Sequence, residues 1–103
     1  MPARIPIDRE RIAEFCRKWQ ITEFALFGSV LRDDFRPDSD VDVLVSFAPG
    51  AHTTLLDLAE MEEELRDVFG RDVDVVSRRG IERSENFMRR KDILSSAEVV
   101  HAA

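Results

Sequence analysis

The 103-residue chain has one cysteine, no tyrosine and no long apolar run. A single thiol, Cys16, excludes an internal disulfide and is typical of a reducing compartment. No apolar run approaches the roughly 20 residues that a membrane-spanning helix needs. Residues 2–6 also lack the apolar core of a signal peptide. We therefore expect a cytoplasmic protein without membrane contact.

Basic residues are fewer than acidic ones, 15 against 21, and the net charge is −6. This balance argues against direct nucleic-acid binding through a broad basic surface. The last quarter of the chain is locally basic and could meet phosphates or an acidic partner: Arg78, Arg79, Arg83, Arg89, Arg90 and Lys91. The length and the 44% apolar content predict a single folded domain, residues 1–103, with no room for a separate substrate domain.

The order of helical and extended segments predicts an α/β fold, a small mixed sheet flanked by helices. We expect strands over 22–27, 41–47, 72–76 and 98–101, and a loop over 33–39. Helices are expected from the N-cap Asp8 to residue 18 or 19, briefly after residue 28, over 54–69 before Gly70, and over 86–96. Apolar spacing predicts these core positions: Ile12, Phe15, Cys16, Trp19, Leu55, Leu58, Met61, Leu65, Val68, Phe69, Phe87, Ile93 and Leu94.

Two aspartates flank a valine where the strand 41–47 begins. Asp40 and Asp42 are two residues apart, so an extended chain points both to one face and Val41 to the other. Neighbouring carboxylates repel, which raises the pKa of at least one of them. A divalent cation removes that conflict, and Mg²⁺ prefers such oxygen ligands together with phosphates. The pair therefore predicts a magnesium site.

The same aspartates also fit the solvated face of an amphipathic strand. Two observations favour the metal site. Leu44 continues the face of Asp40 and Asp42, so that face becomes apolar, and Asp74 interrupts a valine run in the next predicted strand. Aspartate is depleted in strands and is rarely buried without a partner.

Gly28 and Ser29 follow the first predicted strand and form a turn. Glycine permits a tight bend and a close approach of backbone to a ligand. The serine hydroxyl and the N–H groups of the following helical turn favour an anion such as phosphate. A Gly-Ser pair alone is equally typical of an ordinary turn, and only its spacing to Asp40 and Asp42 makes it specific.

The combined pattern G-S-x-x-R-x-D-x(5)-D-x-D, after an apolar strand, resembles the minimal nucleotidyltransferase (MNT) family of the DNA polymerase β superfamily. Its positions here are Gly28, Ser29, Arg32, Asp34, Asp40 and Asp42. Asp74 is similar to the family's third carboxylate, and residues 85–94 are similar to its closing helix. The resemblance implies a polymerase β-like nucleotidyltransferase fold. The family usually has glycine between the arginine and the first aspartate, where this chain has Asp33.

The resemblance implies a Mg-dependent transfer of a nucleoside monophosphate from a triphosphate, with ATP as substrate. Asp40, Asp42 and Asp74 would be the catalytic metal ligands for two Mg²⁺ ions. Asp74 could also accept the acceptor's proton. Gly28 and Ser29 would seat the terminal phosphates. Arg32 would steady phosphate charge, or equally form a structural ion pair.

The family resemblance also implies a protein partner, a HEPN-domain ribonuclease toxin that forms a hetero-oligomer with its MNT antitoxin. The transfer of AMP to a tyrosine of that toxin would silence it, and the absence of tyrosine here is no obstacle because the acceptor lies in the partner. The sequence leaves other functions open. One is a non-catalytic antitoxin that acts by occlusion, another is a transferase for an aminoglycoside-like alcohol, and a third is a nucleotide or Mg²⁺ sensor.

Overall fold

The computed structural model describes residues 5, 7–32, 35–36 and 38–102. The helices are α1 (Arg9–Trp19), α2 (Leu55–Phe69), α3 (Arg78–Glu82) and α4 (Phe87–Ser96), and the strands are β1 (Ile21–Phe27), β2 (Val41–Phe47), β3 (Val73–Ser77) and β4 (Glu98–Ala102). A short 3-10 helix, Gly28–Leu31, follows β1 directly. The predicted α/β order is confirmed.

Side-chain caps explain where the two long helices begin. Asp8 accepts a hydrogen bond from the backbone N–H of Arg11, which satisfies a free donor at the start of α1. Thr54 and Asp57 form a reciprocal capping box at the start of α2. Gly70 ends α2 in the left-handed conformation, with φ of +71°.

The four strands form one mixed sheet in the order β3-β2-β1-β4. β1 pairs antiparallel with β2 and with β4, whereas β2 and β3 are parallel. Parallel neighbours need a crossover connection, and α2 supplies it. The starts of β2 and β3 therefore lie side by side, next to the end of β1.

The sheet has an apolar layer on each face. The larger layer joins α1 and α2 to residues such as Phe24, Val43 and Val75. The smaller layer lies on the opposite face and contains Ala25, Phe27, Leu44, Ile81 and Ile93. Because side chains alternate along a strand, Asp42 shares the face of Leu44 and of this smaller layer.

The segment with α3 and α4 connects the two opposite edges of the sheet, from β3 to β4. Crossing three strand spacings requires about 14 Å. The ten residues of α4 span about 15 Å. Ile93 is the one buried residue of α4, and it packs on the face that carries Asp42. This helix therefore covers the smaller layer.

Two core positions predicted from the sequence are wrong, and one helix was missed. Leu55 is 84% exposed because it lies in the first turn of α2, beyond the packed stripe around Met61 and Leu65. Phe87, in the first turn of α4, is 58% exposed. Helix α3 was not predicted, since its five residues include Gly80 and show no apolar repeat. Within the described residues, no helix has the length and apolarity needed to cross a membrane.

Candidate active site

Asp42 and Asp74 are direct register partners in the parallel pair of β2 and β3. In parallel strands, register partners carry their side chains on the same face, one strand spacing of about 4.8 Å apart. Asp40 immediately precedes β2. Asp40 and Asp74 are exposed, while Asp42 is half-buried. The structure thus brings the two strands' carboxylates together at the edge that the sequence indicated, although only Asp42 is withdrawn from solvent.

Gly28 lies against the carboxylate of Asp42. Phe27 pairs with Asp42 across β1 and β2, which places the turn after β1 at this carboxylate. Gly28 has φ of +78°, in the region that glycine alone adopts readily. A Cβ atom built on Gly28 would collide with Oδ2 of Asp42. Glycine is therefore needed here both for its conformation and for the space that it leaves.

The electrostatics of the site converge on Asp42. Burial raises the pKa of the Asp42 carboxyl, and the negative charges of Asp74 and Asp40 raise it further. The positive charges of Arg32 and Arg89 oppose this shift without cancelling it. The site therefore holds an excess of negative charge around a partly desolvated carboxylate.

A divalent cation fits the chemistry of this donor set. The available ligands are carboxylate oxygens, which suit a hard ion such as Mg²⁺. A cation beside Asp42 would also relieve the repulsion that raises its pKa. Within the described part of the chain, however, no three His, Cys, Asp or Glu side chains are gathered closely enough to hold a metal as they stand.

The predicted phosphate residues border the same carboxylates. Gly28 and Ser29 open the 3-10 helix after β1, and the Ser29 carbonyl accepts a hydrogen bond of 2.9 Å from the backbone N–H of Arg32. Arg32 is exposed, and its positive charge lowers the pKa of Asp42. Asp34 of the family pattern, and Asp33, which replaces the family's glycine, lie outside the described residues.

Arg71 supports the approach to Asp40 and was not predicted from the sequence. Its Nη1 donates to the carbonyl oxygens of Arg36, at 3.1 Å, and Ser39, at 3.3 Å. Its guanidinium also stacks on the Phe35 ring, 4.6 Å from the centroid. One side chain before β3 therefore holds the segment that leads into Asp40. Its partners are 32 to 35 residues away in sequence, so no local pattern could reveal it.

Glu62 supports the neighbouring strand and was also missed. Its Oε2 accepts a hydrogen bond of 2.8 Å from the backbone N–H of Val75. β3 is an edge strand, so part of its backbone has no strand partner. The bond ties β3 to α2 one residue beyond Asp74. The signal available in the sequence was the position of this glutamate, next to Met61 and beside the apolar stripe of α2.

Arg78 and Arg79, considered as phosphate ligands in the sequence, begin α3 at the other end of the strand pair. Ser77 pairs with Val45, three residues past the Asp42–Asp74 pair, which is about 10 Å away. Arg78 donates to Glu23 at 3.2 Å and to Glu82 at 3.4 Å. A groove of about 530 Å³ near these arginines is lined partly by Phe47, Ser77 and Leu58. The structure does not bring this groove to the carboxylates.

Residues 9–100 match the family described as the nucleotidyltransferase domain. MJ0435 of Methanocaldococcus jannaschii, provisionally named as a protein adenylyltransferase, is 35% identical over 69 residues, which are 67% of this chain and 72% of that protein. Protein adenylyltransferase MntA of Thermococcus cleftensis is 38% identical over 63 residues, or 61% of this chain and 62% of that protein.

Solved structures share the fold. One that is provisionally described as a minimal nucleotidyltransferase is 37% identical, with a TM-score of 0.66, and the match covers 87% of this chain and 86% of that one. A toxin-antitoxin with AMP-PNP gives a TM-score of 0.71 at 16% identity, over 94% of this chain and 75% of the other. An MNT antitoxin in complex with a tri-AMPylated Shewanella oneidensis HEPN toxin gives a TM-score of 0.63 at 18% identity. That match covers 92% of this chain and 70% of the other. The chain belongs to the nucleotidyltransferase domain family, as a minimal nucleotidyltransferase of polymerase β-like fold related to the protein adenylyltransferases.

Proposed function

We propose that this protein is an antitoxin that transfers AMP from ATP to a tyrosine hydroxyl of a HEPN-family ribonuclease toxin and thereby neutralises it. The observation that carries this proposal is the placement of Asp42 beside Asp74 and directly against the turn at Gly28. Similarity to protein adenylyltransferases supports the reaction. The complex with a tri-AMPylated HEPN toxin, formed by a chain of the same fold, supports the partner.

The proposal gives each site residue a role. Asp40, Asp42 and Asp74 would hold two Mg²⁺ ions. When bound, Mg²⁺ supplies charge neutralisation for the phosphates and for the leaving group. Gly28 and Ser29 would seat the terminal phosphates of ATP.

The reaction would be an in-line displacement at the α-phosphorus of ATP. The acceptor oxygen forms a bond to that phosphorus while the bond to the β-phosphate oxygen breaks, and pyrophosphate leaves. Asp74 would take the proton of the acceptor hydroxyl. Arg32, whose charge already reaches Asp42, would stabilise the negative charge that develops on the phosphates.

The proposed reaction also indicates where in the cell the protein acts and with which partner. Its substrate ATP and a ribonuclease toxin are both expected in the cytoplasm. The toxin would supply the acceptor, so the working unit would be a hetero-oligomer. A net charge of −6 leaves no broad basic surface for nucleic acid.

The proposal is tested by mixing the protein, its proposed HEPN-family partner, MgCl₂ and ATP labelled on either the α- or the γ-phosphate. We expect α-label on the partner, and none from the γ-position. The variant Asp40→Asn/Asp42→Asn should abolish the label. A matched variant, Glu63→Gln/Asp67→Asn, changes two exposed carboxylates of α2 and should leave labelling unchanged.

Other outcomes select the alternatives. γ-Label on the partner would identify a kinase and overturn the site assignment. Tight binding with no label from either position would favour an antitoxin that acts by occlusion, a reading consistent with the exposure of Asp40 and Asp74. If an aminoglycoside-like alcohol is added, α-label on the alcohol but not on the partner protein would make the chain a small-molecule transferase. Nucleotide binding without any transfer would indicate a sensor.

A further inference from the structure

Two large apolar side chains are exposed at the start of α4, the helix that covers the smaller apolar layer. Phe87 is 58% exposed and Met88 is 73% exposed, in the first turn of α4. Burying such side chains against a partner removes apolar surface from water and therefore favours binding. Aromatic residues and methionine are enriched in protein–protein interfaces.

The helix that carries these side chains packs on the side of the sheet that holds Asp42. Ile93 packs with Phe27 and Leu44 on the face of the sheet that carries Asp42. Arg89 is one turn before Ile93 and therefore lies on the same side of α4. The positive charge of Arg89 lowers the pKa of Asp42. Phe87 and Met88 lie in the same turn of α4 as Arg89, so their backbone is within one helical turn of it, although their side chains leave the helix in other directions.

Phe87 is held in place rather than left loose. The guanidinium of Arg90 stacks on its ring, 5.3 Å from the centroid. Nη1 of Arg90 also donates to the carbonyl oxygens of Glu82, at 3.2 Å, and Ser84, at 3.4 Å. The ring is therefore fixed relative to the turn between α3 and α4, which lowers the entropy lost on binding.

The surroundings of these two side chains are basic in an acidic protein. Residues 78–91 contain six arginine or lysine residues and two glutamates, whereas the whole chain has a net charge of −6. Arg83, Arg89 and Lys91 are exposed. An apolar centre with a positively charged rim is complementary to an apolar surface bordered by acidic residues.

We propose that Phe87, Met88 and the basic side chains around them form the docking surface for the toxin, which presents an apolar patch with an acidic border and the acceptor hydroxyl. This inference rests on the proposed function, because it assigns that partner to an exposed surface within one helical turn of Arg89, whose charge acts on Asp42. The acceptor has to reach Asp42, and a protein interface covers about 800 Å² on each partner, so the protein that carries the acceptor is expected to extend over this turn of α4.

The chain offers a matched comparison surface. Leu55 and Leu56 are 84% and 82% exposed in the first turn of α2. They resemble Phe87 and Met88 in size, exposure and helical position, but α2 packs on the opposite face of the sheet. Substitution at either pair removes exposed apolar area without opening the core, so both variants are expected to fold.

The test measures the dissociation constant of the complex with the proposed HEPN-family partner by calorimetry, without nucleotide. We expect Phe87→Ser/Met88→Ser to weaken binding at least about tenfold, and Leu55→Ser/Leu56→Ser to change it less than about twofold. Arg83→Glu/Lys91→Glu should weaken binding and reduce its salt dependence, while Arg11→Glu/Arg17→Glu on α1 should do neither.

The α-label assay, run in parallel, separates this inference from its premise. Labelling by the unaltered protein, with undiminished binding by Phe87→Ser/Met88→Ser, would overturn the docking surface and leave the proposed function intact. Selective loss of binding, with no label from the unaltered protein, would support the docking surface and contradict catalysis. Failure of the unaltered protein to bind would overturn both.

Discussion

Gly28 has no space for a side chain because the carboxylate of Asp42 lies where its Cβ would be. The two residues come from paired strands, and the contact joins the turn after β1 to the central carboxylate of β2. In the proposed reaction this turn seats the phosphates of ATP while Asp42 holds Mg²⁺. The contact therefore sets the distance between the turn proposed to seat the phosphates and the proposed metal ligand Asp42.

Gly28→Ala is expected to lower both stability and AMP transfer. The left-handed conformation costs alanine about 1–2 kcal/mol, and the new methyl group must also displace the Asp42 carboxylate. A misplaced metal ligand lowers transfer about 100-fold. Denaturant unfolding and the α-label assay measure the two effects.

Gly70→Ala is the control, because Gly70 has a similar φ of +71° and an added Cβ meets no atom within 4 Å. It should show the conformational loss of stability and retain full transfer. Equal transfer by both variants would mean that the contact with Asp42 does not position the site.

Asp42→Asn is expected to raise the melting temperature of the metal-free protein at neutral pH. The pKa of Asp42 is raised by burial and by Asp74 and Asp40. At pH values between the ordinary and the raised pKa, the folded chain therefore keeps a proton that the unfolded chain has already released. Stability therefore falls as the pH rises from the ordinary pKa of this carboxyl to its raised value. Above that window the loss is constant, and asparagine removes it.

Thermal melts in EDTA and in MgCl₂, across the acidic and neutral range, measure this effect. MgCl₂ should stabilise the unaltered protein and have a smaller effect on Asp42→Asn. Asp67→Asn, an exposed change on α2, should shift neither curve. A lower melting temperature for Asp42→Asn in EDTA would show that the carboxylate stabilises the fold instead.

Glu62→Ala is expected to destabilise the protein by about 2 kcal/mol, because a charged hydrogen bond to the N–H of Val75 is lost. The edge of β3 should also open locally, so the Val75 amide should exchange its hydrogen faster. Denaturant unfolding and hydrogen exchange report on the two changes. Glu63→Ala, at the exposed neighbouring position, should leave both unchanged.

Cys16 is expected to resist thiol reagents while the protein is folded. It is 1% exposed, and burial raises its pKa from 9.0 to about 11. Above pH 9 the unfolded chain forms the thiolate first, so the folded state loses stability as the pH rises towards 11. A disulfide reagent should label Cys16 only when the structure around this residue opens, so the labelling rate should follow how often that opening occurs. Rapid labelling at pH 8 without denaturant would contradict this placement.

Local pattern was sufficient for much of the fold. The alternation of valines predicted the bounds of β2, and Asp8 and Gly70 were predicted as helix boundaries. The same alternation predicted that Asp40 and Asp42 share a face. That Asp74 joins Asp40 and Asp42 was predicted from its place in the valine run of a later strand and from the family resemblance. The register that makes it the direct partner of Asp42 depends on how the two strands align, which neither strand shows alone.

The remaining features depend on distant partners or on the position of a helix along the sheet. Arg71 and Glu62 act on backbone groups that no local pattern connects to them. Leu55 follows the apolar repeat of α2, but the repeat does not reveal where packing stops. Metal binding by Asp40, Asp42 and Asp74 stays a prediction.

The path of α4 across the sheet has a consequence for the order of folding. β4 can pair with β1 only after the segment from β3 has crossed the sheet, whereas β1, β2 and β3 can pair before that. With Ile93 as its one buried residue, α4 adds little apolar contact before β4 is in place. We therefore expect a late folding step in which α4 and β4 form together. A chain ending at Ser77 would retain the larger apolar layer and lack the cover of Asp42.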